Sequence, residues 1–248
     1  MWLVLGQDGD VDADWITAGL RTRTDRPVVH LTAGVLVHDC RWEHRVSSTG
    51  ASSRLLLGDG TVVDSTEVAA VCNRLGWLGA EGFDGASERD AEYAGGELYA
   101  LGLSWLESLG PRVLNRPAAT GLSGSWRTEG QWRLLARSVG LPIVAHERDG
   151  TEPAVPAVPG DDGDCVVLVV DGEVLDEAGA PTPGVASPLR SGLAELQRVS
   201  GLDLLEVRLA VGDGIAVRSV SYQAALHRYG DAAVDAVHAA LAGRSDQR

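Results

Sequence analysis

The stretch Val113–Val144, VLNRPAATGLSGSWRTEGQWRLLARSVGLPIV, decides how this chain is read. Val113 and Leu114 form a brief apolar strand, and Asn115-Arg116-Pro117 turns the chain out of it. From Thr128 to Val139 apolar residues recur at helical spacing, which puts Trp132, Leu135, Ala136 and Val139 on one side. Gly140 closes this helix and Pro142 follows, because glycine adopts the backbone that ends a helix and proline cannot continue one. Strand, turn, helix and strand thus follow one another in this order.

Upstream, Leu98, Leu101, Trp105 and Leu109 repeat at helical spacing within Glu88–Leu109, while Asp90, Tyr93, Glu97 and Ser104 trace a polar face. This is the longest expected helix, and it ends at Gly110-Pro111. Nearer the start, Trp2–Leu5 reads as a buried parallel strand that stops at Gly6. Asp12 or Asp14 is placed to cap the next helix, with Trp15, Ile16 and Leu20 inward. Val28–Leu31 is a second strand, and Val35, Val37 and Cys40 give the alternation of a third. Arg54–Val63 reads as a hairpin turning at Asp59-Gly60.

Downstream, Arg148–Asp164, RDGTEPAVPAVPGDDGD, is too rich in proline, glycine and acid to form a core and reads as a linker or loop. CVVLVVDGEVLD and LEVRLAVGDGIAVRSVS then read as hairpins turning at Asp171-Gly172 and Asp213-Gly214. Between them come a loop, Gly179–Pro188, and a helix with Leu193, Leu196 and Val199 inward. Asp231 is expected to cap a final helix carrying Val234, Val237 and Leu241, and the closing Arg-Ser-Asp-Gln-Arg is expected to fray.

Composition narrows the chemistry. Against 35 acidic residues stand 21 basic ones, a formal net charge of −14, and every basic residue is Arg. Such a surface repels phosphate backbones and anionic lipid, so neither nucleic acid nor membrane is an expected partner. Without lysine there is no Walker-type phosphate loop and no Schiff-base amine. The three cysteines, Cys40, Cys72 and Cys165, are too few and too scattered for a disulfide framework. No signal segment precedes the first strand, and the expected location is cytoplasmic.

With its elements in this order, the chain resembles ATP-grasp proteins, in particular the peptide-modifying carboxylate-amine ligases related to the ribosomal-protein glutamate ligases and the microviridin macrocyclases. Val68–Leu75, VAAVCNRL, is similar to the end of their preceding domain. Asp90–Pro117 resembles their long helix and Asn-x-Pro strand end, and Gly130–Val144 the helix that introduces the ATP-grasp domain. The resemblance implies an α/β fold: a preceding domain over residues 1–117, a connecting helix and strand over 118–147, the linker 148–164, and a reduced ATP-grasp remnant over 165–248.

Three departures separate this chain from an active ligase of that kind. Only the linker stands where those enzymes place the sheet that closes over adenine. Their last hairpin offers an acid and then Glu-x-Asn to Mg²⁺, whereas Arg218–Gln223 here reads RSVSYQ, leaving Glu206 as the one nearby acid in register. Their phosphate-binding lysines have no counterpart, and Arg is no equivalent for a compact charge that follows a moving phosphoryl group. The expectation is a degenerate homologue more than an active enzyme: no catalytic residue, no metal ligand and no cofactor, binding a peptide or partner enzyme in peptide modification or natural-product biosynthesis. The alternative is an active ATP-dependent carboxylate-amine ligase with an Arg-based site.

For binding, the candidates are Arg116, Trp126, Arg127, Arg218 and Tyr222, an Arg-and-aromatic group suited to an acidic peptide. A structural polar cluster is expected from Arg74, Asp90, Tyr93, Glu97 and Asn115, with the helix carboxylates holding Arg74 or Arg116. His38, Cys40 and His44 are metal-ligand types, yet one side of a strand accounts for them equally and no fourth ligand accompanies them. Oligomeric state is not legible at this stage.

Overall fold

The computed structural model of the chain describes residues 1–79, 83, 85–144, 164–177, 187–211 and 214–246. Two compact units result: Met1–Ser125 together with Val234–Arg248, and Trp126–Ala233. The last helix belongs mostly with the N-terminal unit.

In the first unit, β1 (Trp2–Gly6) is buried at all five positions, as a strand covered on both faces must be. It pairs in parallel with β2 (Val28–Thr32) on one side and β6 (Ala70–Asn73) on the other, and β7 (Val113–Leu114) extends the sheet beyond β6. Helix α1 (Val11–Arg21) starts at Asp10, whose side chain accepts the amides of Asp12 and Ala13. The cap therefore lies ahead of the expected Asp12 or Asp14. Val35 and Val37 sit in a helix, α2 (Ala33–His38), where an alternating strand was expected. The Thr32 hydroxyl accepts the Val35 amide and starts the helix, so the cap overrides the β-branched pattern.

A second, antiparallel sheet of the same unit joins β3 (Cys40–Ser47), β4 (Gly50–Leu57) and β5 (Val62–Asp64) in that order. Helix α3 (Glu88–Leu109) occupies the expected span and closes at Gly110. Its Trp105, Leu106 and Leu109 enter a core with Leu3, Leu5, Leu31, Leu55 and Val71. Leu98 and Leu101 are only half-buried.

The final helix, α6 (Gly230–Ser245), runs into the first unit from Val234 onward. Trp2 donates from Nε1 to the Ser245 hydroxyl at 2.9 Å, and its ring meets His238 edge-on. Arg244 is buried and bonds the Ala240 carbonyl. Arg244 and Ser245 are therefore packed helix, where a fraying tail was expected.

The second unit is a four-stranded antiparallel sheet in the order β11 (Ile215–Ser221), β10 (Leu204–Val211), β8 (Asp164–Val170), β9 (Glu173–Asp176). Asp171 and Gly172, at φ 46° and 85°, make the expected tight turn between β8 and β9. Helices α4 (Glu129–Ser138) and α5 (Ser187–Ser200) contribute Trp132, Ala136, Leu193 and Leu196 to a core with Val167, Leu205 and Val217. After α4, Val144 and Val217 exchange bonds with Val217 and Pro142 carbonyls, which adds a short segment beside β11. Asp164, expected to close the linker, is instead the first residue of β8. The remainder of that linker, the loop 179–186 and Asp213 lie outside the described residues.

Candidate functional site

At the carboxyl end of the parallel sheet, Arg74 follows β6 directly and reaches the cap of α1. Its Nε and Nη2 donate to Asp10 at 2.9 Å and 3.0 Å, and Asp12 lies 3.8 Å away. Arg74 is 5% exposed, so an anionic partner is almost obligatory. Burial alone would raise the Asp10 carboxyl, but the hydrogen bond and charge of Arg74 and the Ala13 and Asp12 amides hold it below its ordinary value.

Asn115 ends β7 at φ 61°, a left-handed conformation that asparagine tolerates. Its carbonyl and that of Leu122 both accept from the Asn73 amide, at 3.0 Å and 2.8 Å. Asn73, which sequence reasoning did not single out, thus fixes the course of the Asn-Arg-Pro turn.

The expected polar clamp on α3 takes a different form. Asp90 accepts the hydroxyl of the capping Ser87, Tyr93 is 70% exposed, and Glu97 faces solvent. Arg74 is engaged by Asp10, and Arg116 pairs with Glu107 at 3.3 Å on the surface. The reason is geometric: Asp90, Tyr93 and Glu97 lie on the exposed side of α3, whereas Arg74 is buried against the start of α1.

In the second unit, Trp126 is 58% exposed ahead of α4. Arg127 turns inward: its guanidinium lies 5.0 Å above the Trp132 ring, and Nη2 donates to the Ser200 carbonyl at 2.7 Å. Desolvation lowers its pKa from the ordinary arginine value. Arg218 holds Asp164 through Nε at 2.8 Å, with Arg208 on the same carboxylate at 3.9 Å. Tyr222 is half-buried against the core of the unit. Each arginine thus has a protein partner, a result the sequence signalled only through the abundance of acids.

Glu206 on β10 stands opposite Ser221 on β11. Its Oε2 accepts the Ala225 amide at 3.1 Å and the Tyr229 hydroxyl at 3.2 Å. Burial, then the neighbouring Glu206 carboxylate, drive the Tyr229 phenol well above its ordinary pKa. Ser221 exchanges bonds with Gln223 at 3.1 Å and shapes the turn after the strand.

His38 lies on α2 while Cys40 and His44 lie on β3. Both His44 nitrogens meet serines, Nδ1 with Ser53 at 2.7 Å and Nε2 with Ser104 at 2.8 Å, so the ring joins β4 to α3. A neutral imidazole satisfies this by donating through one nitrogen and accepting through the other.

No family model and no curated protein matches the sequence. Solved structures do match the fold. The chain is similar to the macrocyclase MdnC from Microcystis aeruginosa MRC, solved with precursor peptide MdnA, at a TM-score of 0.76 and 12% identity, covering 98% of this chain and 99% of that one. It is similar to the ATP-grasp ligase PsnB complexed with minimal precursor, Mg and ADP, at a TM-score of 0.68 and 15% identity, covering 99% and 98%. A RiPP-associated ATP-grasp ligase of Chryseobacterium gregarium, in complex with ADP and a leader and core peptide, gives 0.71 and 12%, covering 100% and 97%. The chain therefore has the fold of the ATP-grasp ligases. No helix among the described residues is long and apolar enough to cross a membrane.

Proposed function

We propose that this chain binds a peptide or a partner enzyme in a peptide-modification pathway and does not turn over ATP. The reading rests on Glu206. A divalent magnesium ion wants several hard oxygens with free lone pairs, and Oε2 of this one carboxylate already accepts from the Ala225 amide and the Tyr229 hydroxyl. The residue opposite Glu206 on β11 is a serine, Ser221, Ser219 lies two residues before it, and no lysine exists to hold a phosphate. The peptide half of the proposal is supported by the similar structures, which were solved with precursor, leader or core peptides.

Within the second unit, the surface proposed for the peptide comprises Trp126, Arg218 and Tyr222, carried by neighbouring elements because α4 packs on β11. Arg127 anchors that surface from behind. On the first unit, Arg116 is proposed as a further contact for acidic side chains. Calorimetry with Mg-ATP tests the proposal, and no saturable heat is expected. Micromolar binding, followed by ADP release on adding an acidic peptide, would establish an active ligase and overturn it.

A further inference from the structure

Past the end of β6 the chain is tied down at successive residues. The Arg74 amide donates to the Leu5 carbonyl at 2.9 Å, the Leu75 amide to Oδ1 of Asn73 at 3.2 Å, and the Trp77 carbonyl accepts from Nε2 of Gln7 at 2.8 Å. Leu75 and Leu78 are buried, and Leu78 sits so close to α3 that a Cβ on Gly102 would lie 2.5 Å from its Cδ1. Between these anchors Trp77 is 51% exposed.

The indole is held in place although it is open to solvent. Its ring packs on Tyr99 of α3 with centroids 5.3 Å apart and a tilt of 36°. Its Nε1 edge covers Gly79, where any Cβ would collide with that nitrogen. Half of a large apolar ring is thus left in water on a backbone that does not need to move, and a ligand landing on it has little further to order. Approach along α3 is unobstructed, because nothing stands within 4 Å of where a Cβ on exposed Gly96, one turn before Tyr99, would lie.

Charge selects the ligand. Every charged residue of α3 from Asp90 onward is acidic, and of these Glu92 and Glu97 are exposed in the turns before Tyr99. The loop that Gln7 belongs to adds exposed Asp8, while Arg74 is turned inward to Asp10 and offers no cation to solvent. An anion would be repelled by these surroundings and by the electron-rich ring face. A cation is attracted by both. Guanidinium suits the place best, since it is planar, weakly hydrated and stacks on aromatic faces.

We propose that Trp77, backed by Tyr99, is a docking platform for an arginine side chain of a partner polypeptide. The platform lies in the first unit, is built from residues other than Trp126, Arg218 and Tyr222, and does not depend on the acidic-peptide reading of that surface.

Two short peptides test this on the full chain at physiological salt: acetyl-Gly-Arg-Gly-amide, and the same peptide with citrulline, which keeps the planar shape and removes the charge. Heteronuclear NMR follows the indole N–H signals of the seven tryptophans, and Trp77→Phe assigns the one in question by its disappearance. The arginine peptide is expected to shift the Trp77 signal saturably in the millimolar range, about two- to fivefold more tightly than the citrulline peptide, and to leave the other indoles in place. Trp77→Leu, with circular dichroism reporting that the fold persists, should abolish the difference between the peptides as read from their own signals. Equal response to both peptides would make the platform merely apolar and overturn the proposal. So would a Trp77 signal that does not move, or shifts spread evenly over all the indoles, which would show only a general attraction to an acidic chain.

Discussion

Asp10 and Arg74 form a buried pair in which one carboxylate performs two tasks: Oδ1 accepts the Asp12 and Ala13 amides at 3.1 Å while both oxygens take Arg74. Asp10→Ala removes the cap and strands a buried guanidinium, and is expected to cost about 3–5 kcal/mol of stability. Arg74→Met combined with Asp10→Asn should recover much of that loss, because no charge is then left buried alone. Urea denaturation at neutral pH measures both.

The same pair gives an acid dependence of definite sign. Asp10 is depressed in the folded state, so its contribution is present above the unfolded carboxylate pKa and is lost as pH falls through the folded value. Stability should therefore drop below about pH 4, and Asp10→Asn should flatten that part of the profile. An unchanged slope in the variant would assign the acid sensitivity to other carboxylates.

Tyr229 behaves in the opposite direction. Burial and the nearby Glu206 raise its pKa, so its contribution is complete below the ordinary phenol value and falls as pH rises above it. Absorbance titration should show this phenol ionising only with alkaline unfolding. Tyr229→Phe, which leaves the Ala225 amide on Glu206, should cost about 1–2 kcal/mol.

Much of the fold could be read from the sequence where local and global signals agree. The end of α3 at Gly110, the end of α4 before Gly140 and the Asp171-Gly172 turn each follow from a glycine whose backbone freedom matches its place. The reading failed where a cap outvoted a pattern, as Thr32 did over Val35 and Val37. It failed again at the C-terminus, because nothing local shows that Ser245 will meet Trp2 across 243 positions. At the site, residue types were visible but partners were not: Arg74 could have met any of several acids, and only the approach of β6 to the start of α1 selects Asp10.

Gly19 shows how closely the last helix is seated. A Cβ there would lie 2.7 Å from one Val234 methyl and 3.0 Å from the other. Gly19→Val is expected to destabilise the chain by about 1–3 kcal/mol, and Val234→Ala in the same background should restore part of it. Simple additivity of the two changes would show that α6 is not held at this point.

Arg127 and Arg218 are both arginines of the proposed binding surface, yet they should respond differently to replacement. Arg127 is stacked on Trp132 and bonded to the Ser200 carbonyl, so Arg127→Ala removes a tie between the starts and ends of two helices and should lower thermal stability. Arg218 is more open, and Asp164 keeps Arg208 nearby when it is lost. Its replacement by Ala, together with Trp126→Ala, should leave the melting temperature within a few degrees, since partly exposed ion pairs contribute about 0–1 kcal/mol. Capture of an acidic precursor-type peptide should nevertheless fall at least tenfold, because the exposed indole supplies contact area and the arginine supplies complementary charge. Undiminished capture by this folded double variant would remove these residues from the binding surface while leaving the Mg-ATP result to be judged separately.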